Sequence, residues 1–294
     1  MLRLGIIGMS EGNGHPYSWA SIFNGYDPEY MVDCPFPAIP EYLSQQNFPD
    51  DAIRGAQVSH IWTQTLELSK HIAQCAQIES VVANLPDMVT EVDAVLLARD
   101  DSENHYAMAE PFIEAGLPVY IDKPLAILYS EAESIYKIEQ YKGQIFTCSA
   151  LAYAGEFKLS DFEKEELGPI QSIEAHVSGP WETYSIHIIE PVLKLLGENL
   201  KIETIAANHE DRGVELIVKW DNHISGNFTA DPDSDSPIMI RIFGKNGERE
   251  LVFKDSFSAF KSALQDFVDI CNGEKENLSK EITLKCVEII EQGL

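Results

Sequence analysis

Basic side chains are scarce in this chain: 21 lysines and arginines stand against 48 aspartates and glutamates, a formal net charge of −27 at pH 7. A surface so acidic repels phosphate backbones, which argues against nucleic acid and anionic membranes as partners. Any anion site must then be built from backbone N–H groups, a helix N-terminus or a few well-placed cations. Long apolar runs are lacking too, and none approaches the roughly 20 residues of a membrane helix. The start, "MLRLGIIGMS", has no small-residue cleavage site and reads as a first strand rather than a leader. Cysteine is sparse: Cys34, Cys75, Cys148, Cys271 and Cys286 are odd in number and form no C-x-x-C pair. That argues for reduced thiols and a cytoplasmic protein. No spacing among His176, Glu182, His187 and Glu190 matches a zinc pattern, so no metal is expected.

What the chain does have is alternation. In the first half, Leu2–Ile7, Gln57–Thr63, Asp93–Ala98, Pro118–Asp122 and Gln144–Ala150 read as strands. Helical stretches separate them: one from Pro16 to about Asn24, then Leu66–Gln77, "SENHYAMAEPFIEAG" and Ser130–Tyr141. Strands alternating with helices predict a parallel, doubly wound α/β sheet over residues 1–150. A proline-rich insertion at about 26–55 breaks the rhythm, with a helix expected at Pro40–Gln46. It reads either as decoration or as a segment touching substrate or partner. From 151 to 294 short strands with turn signals predominate, then helices return, predicting an α+β domain with a mainly antiparallel open sheet.

The chemistry begins at "GMSEGNGHPYSW", the turn leaving the first strand. A dinucleotide fingerprint, G-x-G-x-x-G, uses glycines for a tight turn and for close approach to a pyrophosphate. Here Gly8 fits the first position, Ser10 replaces the second glycine and Asn13 the third, while Gly12 and Gly14 fall out of register. The turn reads as a lengthened cradle made of Gly8, Ser10, Gly12, Asn13, Gly14 and His15, or as a glycine-rich turn with no ligand. Glu11 is expected to face solvent. The second strand ends in Trp62-Thr63-Gln64, with no carboxylate for a ribose; Thr63 and Gln64 are left as neutral contacts, and NAD versus NADP stays open.

The stretch "EVDAVLLARDDSENHYAMAEPFIEAGLPVYIDKPLAI", Glu91–Ile127, resembles the Gfo/Idh/MocA oxidoreductases, relatives of glucose–fructose oxidoreductase and inositol dehydrogenase. Asp122-Lys123-Pro124 stands at that family's Glu-Lys-Pro, and His105 at the histidine following its Asn. "YSIHIIEPVLKLLG" resembles the D-x-x-x-H helix, and "FKSALQDFVDICNG" continues the likeness. The resemblance implies a Rossmann domain binding NAD or NADP, with Arg99, Asp100, His105 and Asp122 on the cofactor side. It also implies a second domain whose open sheet makes a homodimer or homotetramer. The expected activity is hydride transfer between nicotinamide and a sugar, polyol or related hydroxy compound. The alternative is a non-catalytic sensor that binds a dinucleotide or sugar on the same scaffold.

Lys123, at the carboxyl end of a strand, is the candidate group at the reacting oxygen, and His187, at a helix start, the candidate for proton transfer. With them Trp181, Thr183 and Tyr184 are candidate substrate contacts; the two rings stack on a sugar or else pack in a core. Three departures mark a divergent member. Arg99-Asp100-Asp101 replaces Thr-Pro-Asn, Thr183 replaces the Asp four residues before the histidine, and the first turn is rebuilt. Asp101 is expected to cap a helix, and Arg99 to balance an Asp100 that accepts from sugar hydroxyls.

Overall fold

A computed structural model describes residues 1–197, 200–210 and 213–294. The chain divides into two compact units. The first comprises 1–125, 134–147 and 260–279; the second comprises 126–133, 148–259 and 280–294. Neither unit is one continuous stretch, as a single cut after residue 150 would make it.

The first unit is built on six strands: β1 (Leu2–Ile7), β2 (Ala56–Trp62), β3 (Ser80–Val81), β4 (Ala94–Leu97), β5 (Val119–Ile121) and β6 (Ile145–Phe146). They lie in the order β3-β2-β1-β4-β5-β6, all parallel. Every residue of β4 and β5 is buried, as expected of strands covered on both faces. Crossing over between them are α1 (His15–Asn24), α2 (Pro28–Met31), α3 (Ala38–Ser44), α4 (Leu66–Cys75) and α5 (His105–Glu114), while α6 (Tyr129–Lys137) joins the first unit only from Ser134 onward. Pro16 sits in the first turn of α1, where its missing N–H costs nothing, and Gly25 ends that helix at φ 78°. The strand expected over Gln144–Ala150 is only β6, because a 3-10 turn begins at Ala150.

The insertion folds as α2 and α3 and packs inward. Met31, Ile39 and Leu43 are buried, and the Tyr42 hydroxyl donates to Ser18 Oγ at 2.5 Å. It forms a wall of the first unit against α1.

The second unit carries α7 (Asp161–Leu167), β7 (Ile170–Ser178), α8 (Trp181–Tyr184), α9 (Ile186–Leu196), β8 (Ile202–Glu210), β9 (Gly213–Trp220), β10 (Ser225–Asp231), β11 (Met239–Gly244) and β12 (Glu248–Val252). The order β12-β11-β7-β10-β9-β8 is antiparallel except where β10 runs parallel to β7. Leu216, Val218, Phe228, Ala230, Ile240 and Ile242 turn one face of the sheet to the core, in the period-2 pattern of a half-buried sheet.

Two helices close the chain, α10 (Ser256–Cys271) and α11 (Ser279–Glu291). From Phe260 onward α10 belongs to the first unit, and the aromatic rings there explain why. Trp19 stacks on Tyr120 at 4.8 Å, Tyr120 meets Phe146 edge-on at 4.8 Å, and Phe267 stacks on Phe146 at 5.9 Å. Such rings bury a large apolar area each, so a helix carrying Phe267 is held where the rings are.

Candidate functional site

In a doubly wound sheet ligands bind outside the carboxyl ends of the strands, where the strand order reverses. Here the reversal lies between β1 and β4, and the loops leaving β1, β4 and β5 carry the candidate residues. Two linked polar sets occupy this end of the first unit.

The first set is Ser10, Asp100 and Lys123. The Ser10 hydroxyl donates to Asp100 Oδ1 at 2.5 Å and accepts from the Asp100 N–H at 3.1 Å. Lys123 Nζ lies 3.4 Å from Asp100 Oδ2, and Lys123 as a whole is 6% exposed. A lysine buried to this degree is held by partners rather than free in water. The Lys123–Pro124 peptide is cis.

The second set centres on Asp122, which is 1% exposed. Its Oδ1 accepts from the Lys123 N–H at 2.8 Å. Its Oδ2 accepts from Asn13 Nδ2 at 2.8 Å and pairs with His15 Nδ1 at 2.5 Å. Burial alone pushes the Asp122 carboxyl up, but His15, Lys123 and Asn13 overcome it and hold it below the usual carboxylate range. His15 is wedged between Trp19, stacked at 4.9 Å, and Phe260, edge-on at 5.0 Å. The residues that displaced the fingerprint glycines therefore tie the glycine turn to the strand end that carries Lys123.

The turn itself keeps what an anion needs. A Cβ on Gly8 would fall 2.3 Å from Pro16 Cγ, so only glycine lets α1 start this close to β1. Gly12 has φ 78° and open space where a Cβ would stand, and Glu11 is exposed. The Gly12 and Gly14 N–H groups make no hydrogen bond among the described residues, while Asn13 Oδ1 accepts the His15 N–H at 2.8 Å. Gly14 is pinned from behind, since a Cβ there would meet Phe36 and Ile39 of the insertion at 2.7 Å. These unbonded donors at an open helix start fit a pyrophosphate.

The ribose end fits less closely. Thr63 is buried with its hydroxyl shared between the Thr65 carbonyl and Ser69 Oγ, both at 2.8 Å. The Gln64 amide clasps the Met9 backbone, accepting its N–H at 3.0 Å and donating to its carbonyl at 2.6 Å. Thr63 spends its hydroxyl within its own loop, while Gln64 is exposed and held on the glycine turn.

Several other expected roles are corrected by the geometry. Arg99 pairs through two nitrogens with Asp101, not with Asp100, and Asn104 Nδ2 donates to the same carboxylate at 2.7 Å. Burial pushes the Asp101 carboxyl up, and Arg99 and Asn104 more than offset it. Asp101 thus spends its oxygens on side chains and caps no backbone N–H. His105 is fully buried, with Nδ1 on the Leu125 carbonyl at 2.9 Å and Nε2 on the Arg99 carbonyl at 2.7 Å. It holds two site loops together and has no ring nitrogen left for a cofactor.

In the second unit Trp181 is 3% exposed, and its indole N–H donates to the Ile290 carbonyl at 2.8 Å. Its ring is core, so the stacking role expected for it falls away. Tyr184 is 39% exposed, edge-on to His187 at 5.8 Å, and Thr183 is half-buried beside it. His187 Nδ1 lies 2.8 Å from Ser149 Oγ. The Ser149 N–H donates to Glu190 Oε2 at 2.6 Å, and Glu190 pairs with Lys194 at 3.2 Å. Burial pushes the Glu190 carboxyl up despite both partners. Ser149 and Lys194 are missed by sequence reasoning, since a lone serine after a strand and a lysine in a helix carry no motif. Among the described residues no three His, Cys, Asp or Glu side chains gather as a metal set, and no helix is long and apolar enough to cross a membrane.

Residues 41–149 match the oxidoreductase family with an NAD-binding Rossmann fold, the Gfo/Idh/MocA group. An uncharacterized protein of Saccharomyces cerevisiae is 23% identical over 241 residues, 69% of this chain and 67% of that protein. Among solved structures, a myo-inositol dehydrogenase from Lactobacillus casei in complex with NAD(H) and myo-inositol aligns with a TM-score of 0.74. Its identity is 12%, over 100% of this chain and 93% of the other. The UDP-N-acetylglucosamine 3-dehydrogenase from Acidithiobacillus ferrooxidans gives 0.67 at 15% identity, over 99% and 97%. Residues 41–149 thus carry the family's match, and along its whole length the chain shares the fold of these dehydrogenases at low sequence identity.

Proposed function

We propose that this protein is an NAD(P)-dependent oxidoreductase acting on a CH–OH group of a sugar, polyol or related hydroxy compound. The observation that carries this reading is Lys123, buried at the carboxyl end of β5 beside the sheet's switch point, with Asp100 at its ammonium. The nicotinamide, when bound, supplies or accepts the hydride. Lys123 donates a hydrogen bond to the reacting oxygen and gives its proton as a carbonyl is reduced; in oxidation the same amine takes the hydroxyl proton. Asp100, with Ser10, balances the charge on Lys123, and Asp122 fixes its backbone. Gly12 and Gly14 offer their N–H groups to the pyrophosphate. Within the second unit, His187 gathers with Thr183 and Tyr184 on neighbouring turns as that unit's own candidate group for hydroxyl compounds. Two copies meet through the outer face of the second unit's sheet, where Glu174, His176, Asn227 and Arg241 line a concave patch.

A second reading, a sensor without turnover, is favoured by Thr63, whose hydroxyl is spent within its own loop. Turnover separates the two. A panel of polyols and sugars with NAD⁺ or NADP⁺ is expected to yield reduced nicotinamide, followed by absorbance. Cofactor binding with no reduction by any member of the panel would leave the sensor reading.

A further inference from the structure

The second unit's histidine has a hydrogen-bonding neighbour that no motif announces. Ser149 is fully buried and begins the 3-10 turn Ala150–Tyr153, where its Oγ accepts the Leu151 N–H at 3.3 Å. Its own N–H is anchored on the buried Glu190 carboxylate at 2.6 Å, which fixes the serine backbone and so the aim of its side chain. The remaining contact of Ser149 Oγ is His187 Nδ1 at 2.8 Å. A hydroxyl has one proton to give and lone pairs to receive. The cap already uses a lone pair, so the proton has one acceptor within reach among the described residues, His187 Nδ1. If Nδ1 carried the proton instead, the buried Ser149 O–H would be left without an acceptor, which costs its full desolvation.

From this geometry we infer that Ser149 sets the tautomer of His187: the neutral imidazole accepts at Nδ1 and carries its proton on Nε2. The inference rests on the oxidoreductase reading only for its consequence. An Nε2–H imidazole meets substrate as a hydrogen-bond donor, so it recognises an oxygen with a lone pair to offer, a hydroxyl, ether or carbonyl oxygen. In that form it takes no hydroxyl proton at Nε2. Ser149 is a positioning residue in this scheme, acting through His187, and Glu190 and Lys194 hold it in turn.

The tautomer is read directly by long-range ¹H–¹⁵N correlation spectra of the histidine-labelled protein without cofactor, with His187→Gln used to assign its signals. The expected wild-type pattern at a pH where the ring is neutral is Nε2–H. Ser149→Ala is expected to raise the Nδ1–H population and to lower kcat more than it raises KM, with Ser149→Thr restoring both. An Nδ1–H ring in the wild type, or an unchanged ring in Ser149→Ala, overturns the inference. The wild-type spectrum decides the matter if Ser149→Ala does not fold. Because the spectra need no turnover, a correct tautomer in a protein that reduces no nicotinamide would overturn the enzyme reading and leave this one standing.

Discussion

Lys123→Ala is expected to lower turnover about 10²–10⁴-fold, the usual worth of a positioned acid–base group, while cofactor affinity changes little. The separation follows from where the side chain sits. Its backbone N–H, bonded to Asp122 Oδ1, survives the substitution, as does the Asp122 tie to the glycine turn through Asn13 and His15. What is lost is the Nζ beside Asp100, leaving that carboxylate with Ser10 alone. Lys123→Arg keeps the charge but is not conservative, because a planar guanidinium cannot replace a point ammonium at one oxygen. Steady-state kinetics against dinucleotide affinity for both variants checks this, and unchanged turnover in Lys123→Ala would remove it from the mechanism.

Asp122→Ala is expected to cost about 3–5 kcal/mol of folding stability, the largest effect of any single change in the site. Removing a buried carboxylate that several donors share strands those donors. Here His15, the Asn13 amide and the Lys123 N–H all lose their acceptor at once. The same carboxylate sets an acid limit. Its folded pKa lies below its unfolded value near 4, so its contribution is fully present above about pH 4 and is lost as pH falls through the folded value. Urea unfolding of wild type and Asp122→Ala at neutral pH and at progressively lower pH tests both parts. The gap between the two proteins is expected to narrow in acid, and a constant gap would place the stabilisation elsewhere.

How much of this was legible in the sequence depends on the range of the interaction. The order of strands and helices in the first unit follows from apolar runs and glycine stops; β4 is the clearest case, four buried residues in a row. β3, two residues long, has no pattern to read. α7 went unread although its signal was present: Ser160 and Glu163 form a capping box ahead of an apolar-spaced turn. The membership of α10 in the first unit was not legible, because it depends on Phe267 meeting Phe146 and Tyr120 across more than a hundred residues.

The site shows the same division. Lys123, Asp100 and Ser10 were candidates by position, and the structure brings the three together. Charge alone could not choose between the adjacent Asp100 and Asp101 as partner for Arg99, and the loop geometry chose Asp101. Nor could it show that Asn13, which takes the third glycine's place, and His15 just after it would both bond Asp122. That tie raises the question the whole account turns on, whether a turn rebuilt in this way still takes a dinucleotide. Titrating the protein with NADH and with NADPH, followed by nicotinamide fluorescence, answers it. The account predicts saturable binding of at least one within the roughly 1 μM–1 mM range over which enzymes hold their substrates, and no response to either across that range would contradict it.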